Sequence, residues 1–175
     1  MKKILYVHGF NSSGSTGRFM KEYFGNLGYE VYAPEIPPTF KEAKDLVEKI
    51  VRDENIDLVI GTSLGGFITL NIQESVLRVA INPTLNPYGT LPKLGCKKEI
   101  YESYKDKSVK DNIDAEIRTV TYGMFGGKDK IVNFKDEFEK LYLKSHTYFI
   151  PTMEHQIKPS EIESDLTPLV TYLIG

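Results

Sequence analysis

The chain has 175 residues, 41% of them hydrophobic and 26% charged, with a formal charge of -2. That length can bury a core without staples and suggests one domain. The near-neutral charge gives no reason to expect nucleic acid or an anionic membrane as partner, and the lone Cys96 excludes an internal disulfide and fits a reducing compartment.

Short apolar runs alternate with longer amphipathic ones. Residues 3–8, KILYVH, read as a strand of consecutive apolar residues, as expected when both sheet faces are covered. Met1-Lys2-Lys3 ahead of it resembles a signal-peptide start, but the apolar run stops at His8, too short for such a segment. Residues 16–28 place Phe19, Tyr23, Phe24 and Leu27 at helical spacing, closed by Gly28. Residues 29–34 are strand-like and end at proline. Residues 40–55 put Ala43, Leu46, Val47, Ile50 and Val51 on one helical face. A strand at 57–61 leads into a helix at 64–75, then a strand at 76–82 stopped by Pro83. Residues 117–126 read as a strand, 133–143 as a helix, 146–151 as a strand and 160–174 as a helix interrupted near Pro168. Between them, 84–115 breaks the alternation and reads as a short cover of loop and one or two small helices. No run approaches the roughly 18 apolar residues of a spanning helix, so a cytoplasmic protein is expected. Strands separated by helices predict a mostly parallel six-stranded sheet between helical layers.

In such a sheet, ligands bind beyond the carboxyl ends of the strands. The residues following each strand are therefore the candidates. After 57–60 comes Gly61-Thr62-Ser63-Leu64-Gly65-Gly66, a G-x-S-x-G match. Its small residues suit a tight strand-to-helix turn that exposes a nucleophilic serine. Alone the pattern arises by chance, and a serine N-cap is the plain alternative. After 117–125 the first carboxylate is Asp129, on a Gly-rich turn. After 146–150 comes His155. His146 begins that strand, so it belongs at the opposite sheet edge and reads as a surface residue. Ser63, Asp129 and His155 then stand in the chain order of a hydrolytic triad. After the first strand come His8-Gly9-Phe10-Asn11. An oxyanion needs two preset N–H donors. Leu64, next after the nucleophile, is one; Phe10, or else Asn11, is the other. His8 reads as a brace for that loop rather than a rival base. Asn82 is placed to hydrogen-bond the loops of the site, whereas Asn86 reads as a turn residue.

These residues resemble the α/β-hydrolase superfamily, and more narrowly its small bacterial YqiA/YcfP-type esterases. The shared stretches are YVHGFNSS at 6–13, PEIPP at 34–38, GTSLGG at 61–66, NPTLNPY at 82–88, GGKDKIVNFK at 126–135 and the histidine of TMEHQI. The resemblance implies a three-layer α/β-hydrolase fold with no large cap domain. It implies hydrolysis of carboxylic esters or acyl thioesters with no metal or organic cofactor. By position it makes Ser63 the nucleophile, Asp129 the acid and His155 the base. Supporting roles fall to His8, Gly9, Asn11, Gly61 and Gly65. One departure is Thr152-Met153-Glu154 in place of a Gly-rich approach to the histidine. A glutamate there is expected to favour the protonated imidazole.

The expected chemistry is acyl transfer through Ser63 with a small-molecule ester or thioester as partner. Activity should rise with pH as histidine loses its proton. Leu85, Tyr88, Leu91, Leu94, Ile100, Tyr101 and Tyr104 form either an acyl wall or the inner face of helices packed on the core. Two other readings are a non-catalytic binding protein on the same fold, and hydrolysis of amide or carbon–carbon bonds.

Overall fold

Six strands form one parallel sheet in the computed structural model, which describes residues 1–175. They are β1 (Lys3–Val7), β2 (Glu30–Tyr32), β3 (Leu58–Thr62), β4 (Leu77–Ile81), β5 (Thr121–Gly126) and β6 (Thr147–Ile150). Their spatial order is β2-β1-β3-β4-β5-β6. The order reverses between β1 and β3, whose register pairs Val7 with Gly61. A crevice at the carboxyl ends of these two strands is where such a sheet offers a ligand site.

Helices cover both faces because the strands are apolar on both. On one face, Ile4, Ile60, Val79 and Met124 pack against Met20 and Phe24 of helix α1 (Ser15–Asn26) and against Leu166 and Val170 near the C-terminus. On the other, Leu5, Val7 and Val59 meet Val47 of α2 (Phe40–Glu54) and Phe67 of α3 (Leu64–Asn71). Each such buried side chain contributes about 1.5–3 kcal/mol of transfer free energy. Helix α2 is amphipathic: Ala43, Val47 and Val51 are buried, the i,i+4 ion pairs Lys41–Asp45 and Lys49–Asp53 lie on the exposed side, and the half-buried pair Lys44–Glu48 stands at 2.7 Å. This is the α/β-hydrolase fold, with no large cap domain. No helix is long and apolar enough to cross a membrane.

Several boundaries differ from expectation, each for a physical reason. Helix α3 stops at Asn71 rather than 75, because Ile72 is extended. The fully buried Arg78 replaces the missing turn. Its guanidinium donates to the carbonyls of Thr69 (3.3 Å), Ile72 (3.0 Å) and Glu74. Burial pushes this group down to about 10, so it is still a cation at neutral pH. The predicted strand 117–126 begins only at Thr121. Ala115–Thr119 is helical, because Asp114 caps it by accepting the Ile117 N–H at 2.8 Å. At the C-terminus the irregularity near Pro168 is a π-helical stretch, Ile162–Leu166, ahead of the α-helix Thr167–Ile174. His146 is half-buried rather than a plain surface residue: its ring stacks on Tyr122 at 4.0 Å and Nδ1 meets the Thr121 carbonyl at 3.1 Å.

The 84–115 segment holds a string of short helical turns. It packs chiefly on the α2 and α3 side. Tyr104 donates to the Pro38 carbonyl at 2.9 Å, and Asn112 donates to Asn71 at 2.8 Å. Leu91 and Tyr104 are core residues, and Leu85, Ile100 and Tyr101 pack against that core.

Candidate active site

Ser63 sits at the sharp turn between β3 and α3 with φ 53° and ψ -115°. That is the left-handed side of backbone space, which a serine enters only when its surroundings hold it there. The turn is locked on both sides. The Ser63 N–H donates to the Ile81 carbonyl at 3.0 Å, and the Ser63 carbonyl accepts from Phe67 at 3.2 Å and Thr84 at 3.3 Å. Two glycines allow the approach. A Cβ on Gly61 would lie 2.2 Å from Thr69 Oγ1, and one on Gly65 would lie 2.1 Å from the Val7 carbonyl oxygen.

Ser63, His155 and Asp129 come together in a hydrogen-bonded line. His155 Nε2 lies 3.0 Å from Ser63 Oγ, and Nδ1 lies 2.8 Å from Asp129 Oδ2. The Asp129 side chain is 2% exposed, and its other oxygen accepts the N–H groups of Ile131 (2.8 Å) and Val132 (3.0 Å). A carboxylate oxygen only accepts, so His155 Nδ1 carries the proton toward Asp129 and Nε2 is left to accept from Ser63.

His155 is placed by Asn82. The Asn82 carboxamide is buried at the end of β4. It donates to the carbonyls of Glu154 (2.9 Å) and His155 (3.0 Å), and it accepts the Gly126 N–H at 2.8 Å. One side chain thus ties the β4, β5 and β6 ends together. The Glu154 carboxylate points elsewhere, to Lys158 at 3.1 Å. Asn86 caps the turn Pro87–Thr90 by accepting the Gly89 N–H at 3.1 Å.

The β1 loop lies beside the serine. A Cβ on Gly9 would be 3.1 Å from Ser63 Cβ, so only glycine fits there without displacement. Leu64 opens α3, so its N–H has no intrahelical acceptor, and the Phe10 N–H has no acceptor within the chain. Asn11 holds φ 54°, which turns the loop away after Phe10. His8 braces this loop. Its Nε2 accepts the Ile36 N–H at 3.0 Å, so Nδ1–H donates to the Gly9 carbonyl at 2.9 Å. With both nitrogens engaged, His8 is no base for Ser63.

Two cavities flank residues 9–12. One of about 270 Å³ opens at Ser63 and His155 and reaches Leu94, Ile131 and a row of hydroxyls at and just before the start of α1. The other, about 340 Å³, runs past Leu64 and Ile68 to Ile100 and Tyr104. Of the apolar residues read as either an acyl wall or the inner face of packed helices, Leu94 lines the first cavity, Ile100 and Tyr104 line the second, and Leu85, Leu91 and Tyr101 pack with the core. The hydroxyl row and Gln156 carried no sequence expectation; the run SSGST at 12–16 was the available signal. No group of three or more His, Cys, Asp or Glu side chains is arranged to hold a metal ion.

Solved structures share this architecture. An α/β-hydrolase enzyme from the sediment metagenome of the Mar Chica lagoon, Morocco, superposes with TM-score 0.71 at 20% identity, over 98% of this chain and 91% of that one. A Thermus thermophilus protein gives TM-score 0.72 at 16% identity, covering 99% and 90%. A methylesterase from Arabidopsis gives 0.72 at 12%, covering 99% and 100%. At such identities the likeness is one of fold. The sequence itself is matched from residue 3 to residue 171 by the model of the uncharacterised protein family UPF0227, and the chain belongs to that family.

Proposed function

We propose that the chain is a serine hydrolase that cleaves carboxylic esters or acyl thioesters through an acyl-enzyme. The observation that carries this reading is the line Asp129–His155–Ser63, at 2.8 Å and 3.0 Å. Neutral His155 takes the Ser63 proton as Oγ attacks the substrate carbonyl carbon. Asp129 holds the imidazole in the required tautomer and stabilises the imidazolium. The negative oxygen of the adduct is held by the N–H groups of Leu64 and Phe10, each such donor contributing about 10²–10³ in rate. His155 then protonates the leaving oxygen or sulfur. Water, deprotonated by the same histidine, releases the acid and restores Ser63.

The strained Ser63 backbone supports this reading further, since an N-cap serine needs no such conformation. Its side chain makes no capping bond to α3. A fluorophosphonate probe should label the protein at Ser63, and Ser63→Ala should lose both label and hydrolysis of p-nitrophenyl acetate. Undiminished hydrolysis by Ser63→Ala refutes the assignment. A matched panel of esters and thioesters then divides the two substrate classes.

A further inference from the structure

We propose that the alcohol released at this site is polyhydroxylated, so that the substrate is an acyl ester of a polyol or sugar. The inference rests on the serine-hydrolase reading above and names its substrate class. It comes from the two unlike walls of the cavity at Ser63. The cavity is lined by Ser12, Ser13, Ser15, Thr16, Thr62 and Gln156, with Tyr6 and Ile157 of the α1-side core among them. The same cavity reaches Leu94 and Ile131, large apolar side chains left 37% and 50% exposed. Helix α1 and the segment carrying Leu94 cover opposite faces of the sheet. Helix α1 packs on the face that holds Ile4 and Ile60, whereas the segment carrying Leu94 packs on the face of α2 and α3. Ser63 stands between them.

Several of the polar groups are free to bind. The Gln156 carboxamide has no partner within the chain, nor has that of Asn11 at the same cavity. Ser12 Oγ accepts the Gly14 N–H at 3.1 Å, which leaves its O–H to donate. A hydroxyl both donates and accepts, so this wall matches a ligand surface of further hydroxyls. Ser13 and Ser15 bond each other at 2.9 Å and Thr62 bonds Tyr6 at 3.0 Å, so an alkyl group laid here would leave the Gln156 and Asn11 carboxamides and the Ser12 O–H without water or partner.

The proton path decides which half of the ester meets which wall. The bond that breaks in acylation joins the carbonyl carbon to the alcohol oxygen. The proton on His155 Nε2 passes to that oxygen, a neutral alcohol departs, and Ser63 Oγ keeps the acyl group. The alcohol must therefore lie beside His155. Gln156 and Ile157 follow His155 directly, and they share a second depression with Ser15 and Thr16. The hydroxyl wall is thus continuous with the histidine loop. The acyl group takes the side of Leu94.

The test compares glycerol monobutyrate with propyl butyrate, which share acyl group and carbon count and differ by two hydroxyls. Each kcat/KM is divided by the ester's own alkaline hydrolysis rate. Two added hydrogen bonds should favour the glycerol ester at least about tenfold. The ratio should fall at least about threefold in Thr16→Val and in Gln156→Leu. The propyl ester serves as internal control for the integrity of each variant. A wild-type ratio near one overturns the inference, as does a high ratio that survives both substitutions. Fluorophosphonate labelling of Ser63 with neither ester cleaved overturns this inference alone. Absence of labelling overturns the hydrolase reading and this inference with it.

Discussion

Replacing Asn82 should disable catalysis out of proportion to its distance from the substrate. The side chain is buried and makes three hydrogen bonds that span the β4, β5 and β6 ends. In Asn82→Ala these are lost, at a net of about 0.5–1.5 kcal/mol each, so roughly 2–4 kcal/mol in total. The backbone adds to this. Asn82 holds φ 43°, and alanine there lacks the local hydrogen bonding by which asparagine tolerates the left-handed region, costing about 1 kcal/mol more. For a chain of this size each kcal/mol lowers Tm by about 2–4 °C, so a drop on the order of 10 °C is expected. The released loop carries His155, and a displacement of about 1 Å at a reacting group costs around 10²-fold. The expected result is a kcat reduced by at least tenfold with KM little changed, read with p-nitrophenyl acetate. Asn82→Asp separates positioning from stability. It keeps the acceptor for Gly126 but turns a carboxylate oxygen toward the Glu154 and His155 carbonyls. Those contacts are repulsive when the aspartate is ionised and bonding when it is protonated. Its kcat relative to wild type should therefore rise as pH falls. Asn82→Ala with a lowered Tm but wild-type kcat refutes the argument, as does an Asn82→Asp ratio that is flat with pH.

Three other outcomes follow from particular contacts. Gly65→Ala would put a Cβ 2.1 Å from the Val7 carbonyl oxygen and 2.5 Å from that of His8, both backbone atoms. It should cost at least about 3 kcal/mol and abolish labelling of Ser63; a soluble, active variant contradicts the close approach of β1 and α3. The Tyr142 hydroxyl is buried with no hydrogen-bond partner. Tyr142→Phe should therefore stabilise by about 1 kcal/mol, raising the melting temperature. Burial pushes the Asp57 carboxyl up, but hydrogen bonds from Lys2 (2.9 Å) and the Lys3 amide (2.8 Å) outweigh it and hold it below the usual value. A carboxyl depressed in the folded state stabilises above about pH 4, its unfolded range, and that stabilisation disappears as pH falls through the folded value. The Tm deficit of Asp57→Asn at pH 7 should accordingly shrink on acidification, and a pH-independent deficit would show that Asp57 acts through packing alone.

The sheet was legible because its strands are apolar on both faces, as in KILYV and LVIG. Where the reading failed, a polar side chain had replaced the backbone's ordinary partner. Asp114 caps a helix in IRTVT, whose β-branched residues suggest a strand. Arg78, in the following strand, takes the carbonyl groups of Thr69 within α3 and Ile72 just past its end. Neither event has a signature in local periodicity. Both depend on a side chain reaching across space to main-chain atoms.

The grouping of Ser63, Asp129 and His155 was legible for a different reason. In a parallel sheet every strand points the same way, so residues that follow strands share one edge whatever their separation in the chain. The 92 positions between Ser63 and His155 thus collapse to a 3.0 Å contact. The cavity walls obey no such rule. SSGST at 12–16 is also ordinary turn composition, and Leu94 and Ile131 are ordinary apolar residues in loops. The hydroxyls and Leu94 acquire meaning only from which face of the sheet α1 and the 84–115 segment each cover. The strand-end rule brings Ser63, Asp129 and His155 together because it concerns the sheet's direction. Under the proposed function, what the site accepts would be decided by the layers on its two faces, so substrate choice could change through α1 or the cover while the sheet and the line Asp129–His155–Ser63 stay fixed.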